Sequence, residues 1–295
     1  MDVDYAAIAL AGADTVRVVG ARTTSIVREA QSRHGCSPTV TAALGRLLTG
    51  AALMGSTLAG RERITLQVAG DGPARGLIAE IAAGGRLRGY PLRPSVDRPL
   101  NARGKFDVGG VVGRGFLHVT RTFDTGQPYT SAVPLASGEI GEDLAQYFAR
   151  SEQIPTVIAV GVLANPSGVL AAGGVFAQVL PGASERVIDS LEAAARALPQ
   201  VSALVRDGDT PEQLVGRLAA ALHPRIAGTQ ALAFDCHCDR TRVVKALVGL
   251  GRSALAAIVD AGEETEATCD FCRRKYYFAA DEIRAILRDA QADCA

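Results

Sequence analysis

Four of the six cysteines in this 295-residue chain stand in its last quarter, as two tight pairs. Cys236-x-Cys238 is followed, after the 30 intervening residues 239–268, by Cys269-x-x-Cys272. This pattern constrains folding more than any other feature, because the two segments must meet if their thiols are to share a ligand. Two converging pairs supply four thiolates, a tetrahedral set suited to zinc. Residues 231–295 are too few for a strong apolar core, so metal binding would provide much of that region's folding free energy. His237 lies between the first two cysteines, but four sulfurs already complete a tetrahedron, and it reads as a neighbour. The pair spacing alone leaves a permanent metal staple, a disulfide staple and a thiol switch all open.

The flanking segments fit a compact module. Asp239 is placed to cap a helix over "DRTRVVKALVGLG", and "SALAAIVDAG" reads as a second helix. "EATCDFC" and "KYYFAA" read as a strand pair that carries the second cysteines back to the first. A thioredoxin-like enzyme would need its Cys-x-x-Cys at a helix start, whereas this one falls in an expected β-turn.

Composition narrows the partners. Basic and acidic residues balance at 31 each, so there is no general attraction to nucleic acid or to anionic membranes. The cysteine region itself holds 9 basic and 11 acidic residues, a poor match to a nucleic-acid-binding zinc module. The N-terminal "MDVDYAAIALAG" is acidic where a secretory signal would be basic. Residues 154–184 carry no charge, but "NPSG" interrupts them, so two buried strands are expected there and not a membrane span. A cytoplasmic protein is expected, and in a reducing compartment clustered cysteines point to metal or redox chemistry.

Residues 1–182 read as a mixed α/β sheet domain, so the fold class is α+β. "TVRVVGA" is strand-like, and "TTSIVREAQSRHG" is a helix with a glycine stop. Ser37 and Pro38 form an N-cap and first helical residue, opening a helix that is apolar all round and therefore central. Gly45, Gly50 and Gly55 within it imply close packing against a sheet. A hairpin is expected around Gly84-Gly85 and another around "DTGQP". Residues 139–154 predict an amphipathic helix with Ile140, Leu144, Tyr147 and Phe148 on one face. "TVIAVGVLA" and "GVLAAGGVFAQVL" close the unit as strands.

After "PGAS" the composition shifts, and residues 183–230 predict alanine-rich helices with Val187, Leu191, Ala194 and Leu198 on one face. Thr210 and Pro211 restart a helix by the same cap-plus-proline logic. This middle segment needs something to pack against. No Ser/His/Asp set, phosphate loop or carboxylate pair supports an enzyme. Cys36 precedes a helix start, where a thiol pKa can be lowered, but a small buried cap residue is the plainer reading. Cys294 lies near the C-terminus and, like Cys36, is left out of the pairs.

Taken together, the blocks resemble the thirty-three-kilodalton heat-shock chaperone family, a redox-regulated bacterial holdase. The similarity rests on the two cysteine pairs followed by Tyr276-x-Phe278, and on "RHGCSPTVTAALGRLLTGAALM", "LQVAGDGPARGLIAE", "GRLRGY", "SEQIP" and "AAGGVFAQVLPGA". It covers nearly the whole chain. The resemblance implies one Zn2+ per reduced chain, held by Cys236, Cys238, Cys269 and Cys272. It implies disulfides Cys236–Cys238 and Cys269–Cys272 on oxidation, with zinc loss and unfolding of the C-terminal domain and the 183–230 linker. It implies an N-terminal domain that binds unfolding client proteins, a homodimer when oxidised, and hand-over to an ATP-dependent foldase system. Adaptor proteins with a permanent zinc site and thiol-disulfide oxidoreductases stand as alternatives. Arg273 departs from the family, where Gly or Asn often follows the last cysteine, and it would strain a turn that needs a positive φ. Asp235 and Asp239 add negative charge beside the first pair and should slow attack on anionic oxidants slightly.

Overall fold

The structure, a computed structural model, describes residues 3–292 apart from 103 and 166, so Cys294 lies outside the described residues. The chain divides into two compact units, Met1–Asp235 and Cys236–Ala295.

In the first unit the strands are β1 (Tyr5–Ala11), β2 (Val16–Arg22), β3 (Arg63–Gly70), β4 (Gly76–Ala82), β5 (Arg86–Pro91), β6 (Gly115–Thr122), β7 (Tyr129–Pro134), β8 (Thr156–Asn165), β9 (Gly168–Val179), β10 (Arg225–Ala231) and β11 (Ala233–Phe234). The helices are α1 (Thr24–His34), α2 (Pro38–Met54), α3 (Val108–Val112), α4 (Gly141–Tyr147), α5 (Glu185–Ala197), α6 (Val201–Arg206) and α7 (Pro211–Ala219). One sheet has the order β10-β1-β2-β9-β8 and the other β11-β5-β4-β3-β6-β7. The expected hairpins are present: β4 and β5 join through Gly84 and Gly85, both at positive φ, and β6 pairs antiparallel with β7.

Helix α2 is the centre of this unit. Ser37 accepts a hydrogen bond from the Val40 N–H, and Pro38 occupies the first turn, as their sequence order predicts. The helix is buried on nearly every side because it lies between the inner faces of both sheets. Its glycines mark close approaches: a Cβ on Gly50 would fall 2.4 Å from Leu144, and one on Gly55 2.6 Å from Ile81. A helix and a strand both come this close, so the sheet is only part of the reason for them. Leu144, Tyr147 and Phe148 are buried together as expected, but Ile140 precedes α4 with φ 67° and is not part of it. Chain reversal at "SGEI" turns it inward, and the buried Asp143 carboxylate accepts its N–H at 2.8 Å.

Helices α5, α6 and α7 cover the outer face of the first sheet. Their apolar side chains Leu191, Val201, Leu214 and Leu218 join Val16, Val18, Val175 and Ala177 in a second core. The contact with β2 is tight: a Cβ on Gly20 would meet the Pro211 carbonyl oxygen at 2.1 Å. The Tyr5 hydroxyl donates to Glu212 at 2.8 Å and ties the start of α7 to β1. The following strand, β10, is held differently. It pairs with β1 along the sheet edge, and nearly all of its side chains are exposed.

Asp4, just before β1, caps α1 from outside the helix. It is 4 % exposed, and one carboxylate oxygen accepts the Ile26 N–H at 2.8 Å while the other has no partner. Burial raises its pKa to about 6, against the opposing pull of the Ile26 N–H and Arg22. A folded-state pKa above the ordinary value means the protonated carboxyl favours the fold. That contribution is complete below pH 3.8 and is lost as pH rises through about 6. Asp4→Asn keeps the acceptor and removes the buried charge. Urea midpoints should match wild type near pH 4, and at pH 7 the variant should be more stable by up to about 3 kcal/mol.

Candidate metal centre

The second unit is small. Its helices are α8 (Arg240–Gly249), α9 (Arg252–Ala261) and α10 (Ala280–Ala292), and its hairpin is β12 (Thr265–Thr268) with β13 (Lys275–Phe278). Its buried apolar residues are Leu247, Leu255, Phe278 and Ile283. A core this thin is the setting in which a cross-link contributes most to stability.

Each cysteine is positioned by local backbone structure. Cys236 and Cys238 lie in the extended segment ahead of α8, where the Asp239 side chain accepts the Arg242 N–H at 2.8 Å. Cys269 and Cys272 lie in the turn joining β12 to β13. That turn is closed by Cys269 N–H to the Arg274 carbonyl at 2.9 Å and by Arg273 N–H to the Cys269 carbonyl at 2.8 Å. The four sulfurs all lie within 4.8 Å of one another, a cluster that can hold a metal ion. Cys236 and Cys269 sulfurs are 3.8 Å apart, and those of Cys238 and Cys272 3.3 Å. Tetrahedral thiolate ligands at about 2.3 Å from an ion stand about 3.8 Å from each other, so the cluster has suitable dimensions. His237 is not among the clustered ligands.

The electrostatics show why four bare thiols conflict. Burial pushes the Cys272 thiol up, and hydrogen bonding and charge from Cys238 and Cys236 push the same way. Cys269 is raised chiefly by burial, with Cys236 adding to it. At Cys238 burial also acts upward, but hydrogen bonds from Tyr276 and the neighbouring thiols outweigh it and bring the value to about 7. The Tyr276 hydroxyl donates to the Cys238 sulfur at 3.2 Å. One sulfur is thus readily ionised while Cys269 and Cys272 resist, and a bound cation would remove that conflict.

Two supporting residues were not foreseen. Tyr276 was noted only as part of the Tyr-x-Phe signature, yet it reaches a sulfur across the hairpin. Arg240 lies 4.2 Å over the Phe278 ring and donates to the Tyr277 carbonyl and to Glu282. Nothing in the local sequence signals either contact, because each joins residues about 40 positions apart. Cys36 is not among the clustered sulfurs: it is buried, and burial raises its thiol to about 12, in keeping with a packing residue and against a reactive thiol. Among the described residues no helix is long and apolar enough to cross a membrane.

Arg273 has φ 61°, in the left-handed region that a residue with a Cβ enters at a cost. The turn therefore carries the strain expected of a bulky residue there. Arg273→Gly should strengthen metal binding about three- to tenfold, equivalent to about 1 kcal/mol of relieved strain, in competition titrations against a chromophoric chelator. Unchanged affinity would show that the turn does not limit binding.

The profile of the Hsp33 protein family matches residues 4–279. A "33 kDa chaperonin" of Desulforamulus reducens is 39 % identical over 286 residues, covering 97 % of each chain. One of Ruminiclostridium cellulolyticum is 40 % identical over 287 residues, covering 97 % of this chain and 98 % of that one. The crystal structure of the 33 kDa chaperonin of Thermotoga maritima superposes with a TM-score of 0.90 at 35 % identity, covering 99 % of this chain and all of that one.

Proposed function

The chain belongs to the Hsp33 protein family, and on that premise we propose that it is a cytoplasmic holdase chaperone switched by oxidation of its four clustered cysteines. The relatives are named as chaperonins, not as enzymes. The observation that carries the switch is the convergence of the four sulfurs within 4.8 Å in a unit with very little core. Cys236, Cys238, Cys269 and Cys272 would hold one Zn2+ per reduced chain. Bound zinc would keep the sulfurs as thiolates and cross-link the segment before α8 to the β12–β13 turn.

Thiolates are the form that oxidants attack. For each disulfide, two thiolates and one hypochlorous acid give a sulfur–sulfur bond, chloride and hydroxide. Which sulfurs pair decides the outcome. The separations of 3.8 and 3.3 Å belong to pairs that cross between the two segments, Cys236 with Cys269 and Cys238 with Cys272. Disulfides formed that way would staple the unit shut. Disulfides Cys236–Cys238 and Cys269–Cys272 stay within their own segments and leave no covalent or metal cross-link between the two segments, only the thin core. The proposed switch therefore requires the local pairing, which is also what the resemblance implies.

Opening then extends to the 183–230 linker. In the structure α5–α7 are docked on the first sheet, so activation has to lift them from the apolar face formed by Val16, Val18, Val175 and Ala177. That face and the released helices offer the apolar surface an unfolding client needs. Dimerisation of the oxidised form and release of clients to an ATP-dependent foldase system complete the proposal. The oxidoreductase alternative is disfavoured, because Cys269-x-x-Cys272 sits in a β-turn and not at a helix start.

The test measures metal release, free thiols and suppression of a test protein's aggregation before hypochlorite, after it, and after reductant. Reversible gain of holding activity together with metal loss is expected. Retained metal with unchanged activity would favour a permanent staple. Peptide mapping should find Cys236–Cys238 and Cys269–Cys272 in the active form. Gly20→Ala drives a methyl group into the Pro211 carbonyl and should undock α7 without any oxidant. A clash costing about 1–3 kcal/mol raises the undocked population about five- to 150-fold, read as holding activity in the reduced protein.

A further inference from the structure

Strand β8 forms one edge of the five-stranded sheet, and its free side borders the cavity that runs along it. The cavity holds about 900 Å³ and follows β8 continuously from Ile158 to Asn165. Pro38, Phe106 and Glu142 wall it on the inner side of the sheet, and Leu198, Pro199 and Ser202, from the α5–α6 turn, wall it on the outer side. It is therefore a slot between two layers, with Arg46, Lys105 and Glu139 also at its border.

The backbone facing the slot is unpaired. The Val179 N–H donates to the Pro155 carbonyl, which makes Pro155 and Val179 a hydrogen-bonded pair of the antiparallel ladder. Alternation then assigns the ladder bonds to Val157, Ala159, Gly161 and Leu163, each facing its β9 partner. Ile158, Val160 and Val162 direct their N–H and C=O groups the other way, toward the slot. None of those groups has a hydrogen-bond partner among the described residues. Sheet edges are ordinarily guarded by charge, proline or a bulge. From Thr156 to Asn165 there is neither a charged residue nor a proline, and the only irregularity lies near the far end, at Leu163/Ala164.

We propose that this slot binds an extended, uncharged segment of unfolded polypeptide, which adds to β8 as a sixth strand. Main-chain hydrogen bonds to Ile158, Val160 and Val162 supply the affinity, as in strand addition generally. Such bonds do not depend on side-chain sequence, which suits a protein that must accept many clients. Eight lining residues span about 26 Å at about 3.3 Å per residue, a length that fits a strand. A second copy's β8 is a poorer occupant, because it is already flanked by β9 and its own two walls and cannot enter a slot between layers. The outer wall belongs to the 183–230 segment, so lifting that segment widens the slot. The identity of the occupant as a client rests on the holdase reading; the slot and its free backbone groups do not.

The experiment titrates a fluorescent ten-residue peptide of alternating valine and threonine into the full-length oxidised chain. A scrambled uncharged sequence should bind within about threefold of the parent, whereas N-methylation of the central residues should weaken binding about tenfold or more. Val160→Pro removes an edge-facing N–H without touching a ladder bond to β9 and should weaken the parent peptide similarly. If that variant misfolds by circular dichroism, the methylated peptide decides alone. Equal binding of methylated and unmethylated peptides overturns the proposal, as does absence of peptide binding. An effect of Val160→Pro on self-association alone, seen by sedimentation, also overturns it in favour of a second copy. Aggregation suppression is measured separately: its absence in the oxidised wild type defeats the holdase reading, and the methylation comparison still decides the slot.

Discussion

The mutual approach of four sulfurs is the constraint on which the C-terminal unit depends. Its buried apolar residues are too few to hold three helices and a hairpin against the entropy of the chain. The cysteines also create the difficulty they resolve. Packed within 4.8 Å, they cannot all ionise without a counter-charge, and Cys238 and Cys272 are driven in opposite directions. Under the proposed switch, such a unit would be stable only while its sulfurs are occupied. Chemistry at a few atoms would then govern the folding of some sixty residues.

The first unit has the opposite character. Helix α2 is enclosed by two sheets, and its glycines let neighbours approach to distances a side chain would forbid. Its second core, under α5–α7, is separate from the first and smaller. Two cores of unequal size would let one layer leave while the other keeps its shape, as the proposed switch requires. The Tyr5–Glu212 hydrogen bond and the Gly20–Pro211 contact mark where that outer layer is fastened.

Legibility in the sequence followed the range of each interaction. The cysteine set, the Ser37-Pro38 and Thr210-Pro211 starts, the Asp239 cap and the Gly84-Gly85 turn are local patterns, and each stands where its spacing put it. Strand β1 was harder to see, because "YAAIALA" has little polar contrast when both faces are buried. Strand β10 was hidden for the reverse reason: "RIAGTQA" is exposed and lacks an apolar stripe. Helix α10 is amphipathic but follows the signature that drew the reading, and it went unremarked. At the cysteine cluster the four cysteines were legible and the contacts around them were not. Tyr276 and Arg240 act across the module, at positions that only the folded hairpin brings together. The edge position of β8 is likewise a fact of sheet order, since β9 turns back to pair with β2.

Strand β10 has a kinetic meaning. It leads from the helical layer toward Cys236 and is attached to β1 by backbone bonds, with its side chains in solvent. Pulling a buried strand from a sheet breaks its contacts together and meets a high barrier. An edge strand with exposed side chains can unzip one hydrogen bond at a time, and each broken bond is replaced by water. Departure of β10 should therefore be quick and easily reversed, with no single large step to limit it. Under the proposed switch, a detachable strap of this kind would favour a rapid response to a sudden chemical insult and a clean return once the insult has passed.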